Sequence, residues 1–125
     1  MKRLVAFLGV TTLCVVSACK SQRIESEAAM MTGGNPHKGK SAIARYGCIS
    51  CHTIPGVRGA DGLVGPPLTR IASRVYIGGV LANTPENMIR WIRNPKEVDQ
   101  LTAMPNVGVS EGDARDIVGY LYTLR

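Results

Sequence analysis

Aromatic side chains are scarce in this 125-residue chain, at 5% with a single Phe and a single Trp. The length suffices for one domain, and 45% hydrophobic residues suffice for a packed core. A small domain with so few rings often packs on something else, such as a disulfide, a metal or a cofactor. Long basic runs are also absent, which argues against nucleic acid as a partner. Histidine occurs twice, as His37 and His52, and there is no second Cys-x-x-Cys pair beside Cys48-Ile49-Ser50-Cys51. No internal repeat is present, and no apolar run reaches the roughly 20 residues of a comfortable transmembrane helix.

What is present begins with an export signal. Lys2 and Arg3 form a basic start, and Leu4 to Val16 is apolar and uncharged, the length of a signal-peptide core. Val16-Ser17-Ala18-Cys19 follows. This run resembles the lipobox of bacterial lipoproteins, which implies cleavage before Cys19 and acylation of that residue. Several acyl chains together make a stable anchor where one does not. Cleavage after residue 18 leaves thirteen Lys and Arg against nine Asp and Glu, a net charge near +4. That modest excess favours an acidic docking surface on a partner. Cys14 departs with the signal and Cys19 carries lipid, so Cys48 and Cys51 remain for chemistry.

The organisation follows from local start and stop signals. Residues 1–18 read as the signal peptide, 19–34 as the lipidated cysteine and a flexible polar tether ending in Gly33-Gly34, and 35–125 as the domain. Asn35-Pro36 opens a helix to about Tyr46, which runs into the cysteine motif. Residues 53–70 are dense in Gly and Pro and predict a long structured loop, with a weak helical segment over 67–73. Thr84-Pro85-Glu86 starts a helix that Asn94-Pro95 stops. Residues 96–109 predict a second loop, and Ser110-Glu111-Gly112-Asp113 resembles a capping box for a last helix with Ile117, Val118, Leu121 and Leu124 on one face. The expected class is all-α, three to four helices with long loops and no strand.

Cys48-Ile49-Ser50-Cys51-His52 admits three chemistries. A thioredoxin-like dithiol requires a βαβ setting, whereas a helix leads in here. A structural zinc site requires four ligands, and the remaining histidine, His37, leaves it one short. Cys-x-x-Cys-His as an attachment site for haem c requires no further pair: the thiols add to the vinyl groups and the histidine faces the iron. Attachment takes place outside the cytoplasm, in keeping with export. A porphyrin would also supply the missing centre of the core. Of the methionines that remain, Met30 and Met31 lie in the tether and Met88 on a helical apolar face. Met104 lies in a loop beside Pro105, and a thioether is a known sixth ligand in cytochromes c.

With these residues in place, positions 35–125 resemble the class I, mono-haem cytochrome c family. Gly39 and Asp116-Ile117-Val118-Gly119-Tyr120-Leu121 resemble the small residue and partner helix of its N- and C-terminal helix crossing. Gly65-Pro66-Pro67-Leu68 resembles its Gly-Pro-x-Leu turn, which implies that the Pro66 carbonyl accepts a hydrogen bond from His52. Trp91-Ile92-Arg93-Asn94-Pro95 resembles the aromatic-x-x-Asn-Pro that ends the third helix, and Met104 stands nine residues beyond Pro95, the family's ligand spacing. Trp91 either packs on the haem or directs its indole N–H toward the ligand. The stretch from Gly65 to Pro105 looks especially like the cytochrome c domain of bacterial cytochrome oxidase subunit II.

The resemblance implies a cytochrome c fold around one covalently attached haem, with Cys48, Cys51, His52, Met104, Pro66 and Trp91 binding the cofactor and His52 and Met104 ligating iron. It implies a one-electron carrier on the periplasmic side of a bacterial membrane, lipid-anchored at Cys19. Its partners would be membrane redox complexes such as a terminal oxidase or a quinol or dehydrogenase complex. On this reading the chain is not an enzyme. The alternative is a haem-based enzyme, or a gas- or peroxide-responsive protein in which the Met104 ligand is displaced.

Overall fold

The computed structural model describes residues 2–125, with side chains from Ser17 onward. The side chains of the apolar signal segment therefore lie outside the described residues. Helix α1 spans Lys2–Thr32, α2 Pro36–Arg45, α3 Pro85–Arg93, α4 Pro95–Val98 and α5 Glu111–Leu121. Short 3-10 turns cover Cys48–Ser50 and Ile71–Ser73. Among the described residues no helix is long and apolar enough to cross a membrane.

The three expected helix starts are built as their residues dictate. The side chains of Asn35, Thr84 and Ser110 accept from the backbone N–H of Lys38, Asn87 and Asp113 at 3.1, 3.2 and 3.2 Å. Each thereby satisfies a donor that a helix start leaves open. The core forms where α2 crosses α5. A Cβ on Gly39 would lie 1.9 Å from the Asp116 carbonyl oxygen, so the two backbones touch and any side chain there would part them. Around the crossing Ala42, Ile43, Ile117, Val118 and Leu121 are buried, joined by Met88 and Ile92 from α3. Each large aliphatic side chain so buried contributes about 1.5–3 kcal/mol.

Polar contacts brace the same crossing. Asp113 accepts from the Tyr46 hydroxyl and the Arg45 guanidinium, both at 2.7 Å, and Asp116 Oδ1 accepts from Asn35 N at 2.7 Å. The Tyr46 bond, with help from Ser110 and Arg45, holds the Asp113 carboxyl below its ordinary value.

Two expectations are corrected. Residues 19–34, read as a flexible tether, are helical to Thr32. Their composition is rich in helix formers, and the end of α1 docks on the domain. Ala28 is fully buried, Glu27 pairs with Arg125 at 2.8 Å, and Glu25 faces His37 at 3.1 Å. Gly33, with φ +67, then ends the helix. The second difference is a small antiparallel hairpin, β1 Tyr76–Ile77 with β2 Leu81–Ala82. It is too short to show a period of two in the sequence. The rest is all-α, as a cytochrome c-like fold requires.

Candidate haem site

Gly47, at φ +74, breaks the chain out of α2 and into the 3-10 turn Cys48–Ser50. The Cys48 carbonyl accepts from Cys51 N at 3.2 Å and from His52 N at 3.0 Å. One tight turn thus gathers both thiols and the imidazole. Cys48 and Cys51 are free and half-buried. Burial, and then the Cys51 thiol nearby, push the Cys48 thiol above its ordinary pKa.

The Gly- and Pro-rich loop folds back along this turn. Thr53 and Asp61 form an antiparallel bridge, Gly65 N donates to Cys51 O at 2.7 Å, and Leu68 N donates to Thr53 O at 2.8 Å. The returning loop carries Pro66 O to 2.7 Å from His52 Nδ1. A carbonyl can only accept, so Nδ1 bears the proton. The other ring nitrogen, Nε2, is then left with a lone pair for a metal. Gly65 makes this possible. A Cβ there would lie 2.4 Å from His52 Cε1 and 2.8 Å from Nδ1. The loop lies flush against the imidazole only because residue 65 has no side chain.

The structure therefore brings Cys48, Cys51, His52 and Pro66 together. Trp91 and Met104 reach the same core from α3 and from the loop before α5, both half-buried. The Trp91 ring covers the backbone of Gly78, where a Cβ would lie 2.7 Å from it. Among the other described methionines, Met88 is 3% exposed and committed to the core, whereas Met30 and Met31 stand out on α1. Cys19 is exposed on α1, apart from this cluster.

Three contributors were not read from the sequence. Arg74 donates from Nη2 to Pro67 O at 2.5 Å and Thr69 O at 3.1 Å, clamping the turn that presents Pro66. Asn83 donates to the carbonyls of Ile71 and Arg74, both at 2.8 Å, and accepts from Tyr122 at 3.0 Å. Lys96 closes the loop that carries Met104. No sequence pattern marks an Arg, Asn or Lys whose partners are backbone carbonyls several residues away.

The donor set suits a c-type haem. Two free thiols sit one turn apart beside an imidazole with a fixed tautomer, and half-buried Ile49, Val57, Leu68, Leu81 and Trp91 border the core nearby. Among the described residues no three His, Cys, Asp or Glu side chains cluster to hold a metal ion by themselves.

The chain is 33% identical over 90 residues to cytochrome c oxidase subunit 2 of Alkalihalophilus pseudofirmus, a match that takes in 71% of this chain. The chain spans 25% of that relative's length. No protein-family model matches, and neither does any solved structure. The chain is thus related to a cytochrome oxidase subunit. This corrects the expectation that it is not an enzyme: its relative is by name part of an oxidase, so the likeness is to a component of an enzyme.

Proposed function

We propose that the chain is a membrane-tethered, mono-haem c-type electron-transfer protein serving an oxidase. Cys48 and Cys51 would hold one haem c by thioether bonds, and His52 Nε2 and the Met104 sulfur would ligate its iron. The observation that carries this reading is the 2.7 Å contact between His52 Nδ1 and Pro66 O, made directly beside two free thiols. It fixes the ring as a metal ligand's ring is usually fixed, by a hydrogen bond on its far nitrogen.

When bound, the haem supplies a one-electron couple, and the chain's own residues set its working conditions. His52, held by Pro66, is a more basic ligand than a free imidazole. Met104 supplies a thioether, which raises the potential. Trp91 and Leu68 add apolar cover that keeps water back. Exposed Leu63 and Val64 follow the glycine packed on Cys51 and precede the one packed on His52, so the thioether side has an apolar border.

A terminal oxidase is the partner that the relative's name supports, with a quinol or dehydrogenase complex as the electron source. Residues 1–18 would be removed as a signal peptide, Cys19 would carry the lipid, and residues 35–125 would form the haem domain on the periplasmic face.

The test is to express the chain with haem c maturation and assay covalent haem by the pyridine haemochrome spectrum. One haem per chain, retained on acid–acetone extraction and lost in a Cys48→Ala/Cys51→Ala double variant, is expected. Absence of covalent haem from the parent protein would overturn the proposal.

A further inference from the structure

The loop that carries Met104 is closed from within. Lys96 stands at the second position of α4, and its Nζ reaches forward to donate to Gln100 O at 3.3 Å and Thr102 O at 2.5 Å. The same turn is stitched by Asp99 N to Pro95 O at 2.9 Å, Leu101 N to Asp99 Oδ1 at 2.9 Å, and Thr102 N to Asp99 O at 3.2 Å. Thr102 Oγ1 in turn accepts from Met104 N at 3.2 Å. At the base of the loop, Asn106 Nδ2 donates to Asn94 Oδ1 at 3.0 Å.

Apart from half-buried Met104 and buried Val109 at its end, burial does little for this segment. Leu101 is 94% exposed and Val107 is 42% exposed. A loop with so little apolar cover opens easily unless polar ties hold it. Here the principal tie is an ammonium, which forms charge-assisted hydrogen bonds and can donate to two carbonyls at once.

We propose that Lys96 is a positioning residue for the Met104 ligand. By holding the carbonyls of Gln100 and Thr102 it fixes Thr102, whose hydroxyl holds the Met104 backbone. It thereby sets how seldom the thioether leaves its place. This inference rests on the haem reading above.

The test uses the haem-loaded, oxidised protein. Imidazole is added as a neutral competitor, and loss of the methionine–iron charge-transfer absorption is followed with time. A neutral ligand is chosen because removing a surface charge does not by itself alter its approach. Lys96→Met keeps the methylene stem and removes the donors, so imidazole should enter about tenfold faster, as when one good hydrogen bond is lost. Thr102→Val should shift the rate in the same direction. Lys96→Arg, which still donates to two carbonyls, should return it toward the parent. A parental rate in Lys96→Met, with the absorption intact, would overturn the positioning role while leaving the haem reading in place, whatever Thr102→Val does. Absence of the absorption from the parent protein would instead remove Met104 as ligand, and this inference with it.

Discussion

Replacing Gly65 with alanine tests the His52–Pro66 contact without touching either partner. Gly65 is not among the glycines at positive φ, so alanine meets no backbone strain. Its methyl, however, would stand 2.4 Å from His52 Cε1, 2.8 Å from Nδ1 and 3.0 Å from Nε2, where ordinary contact begins at 3.4 Å. Ring and loop must separate by about 1 Å, which stretches a 2.7 Å hydrogen bond beyond its useful range. Losing such a bond costs about 1 kcal/mol. Because the bond makes the imidazole more basic, it favours the oxidised iron, and its loss should raise the reduction potential. If the whole effect falls on the oxidised state, 1 kcal/mol corresponds to roughly 40 mV for one electron. The assay is an equilibrium redox titration of haem-loaded parent and Gly65→Ala protein, with unfolding followed in parallel. Overpacking by one methyl should lower stability by about 1–3 kcal/mol. A folded variant whose potential stays within about 10 mV of the parent would refute the reasoning, which requires that the bond to a more basic imidazole favour the oxidised state.

Three further outcomes are expected. Met104→Ala should retain covalent haem but lose the charge-transfer absorption and lower the potential, because a thioether favours reduced iron; a titration that finds the parental potential would count against Met104. Asp113→Asn should destabilise the protein at neutral pH. Since the Asp113 carboxyl is held below its ordinary value by Tyr46, Ser110 and Arg45, its contribution is full above the unfolded value of about 4 and is lost as pH falls through the folded one. Denaturant midpoints of parent and variant should therefore differ at pH 7 and converge in strong acid; a gap that is independent of pH would show that the carboxylate charge is not responsible. Cys19→Ser should move the protein from the membrane to the soluble fraction on fractionation of the expressing cells, and continued retention would argue against a lipid on Cys19.

Local signals made much of the domain legible. Asn35, Thr84 and Ser110 mark helix starts because a cap is satisfied within three residues, and so is visible in a short window. Cys48, Cys51 and His52 are legible for the same reason, since one turn holds all three. The Pro66 contact came from likeness to a known turn, and its carbonyl lies 2.7 Å from His52 Nδ1. The docking of α1 was not legible. Its residues favour helix, but its fastening depends on Arg125, 98 positions from Glu27, and on burial of Ala28, which no local pattern announces. The hairpin at Tyr76–Ala82 escaped because two-residue strands carry no periodicity. Lys96 escaped because an exposed lysine looks the same whether it is solvated or bound to carbonyls.

The docked end of α1 changes what an anchor at Cys19 would do. A flexible chain of the 14 residues from Cys19 to Thr32 would wander over roughly 20 Å in any direction. The helix from Cys19 to the buried Ala28 is instead an arm of about 14 Å, fastened to the domain by Ala28 and Glu27. A leash lets the domain seek partners by searching, whereas an arm gives it a heading. Electron transfer would then be fast only to complexes whose docking face stands at the matching height above the lipid, so the length and fastening of α1 would choose partners as firmly as surface charge does.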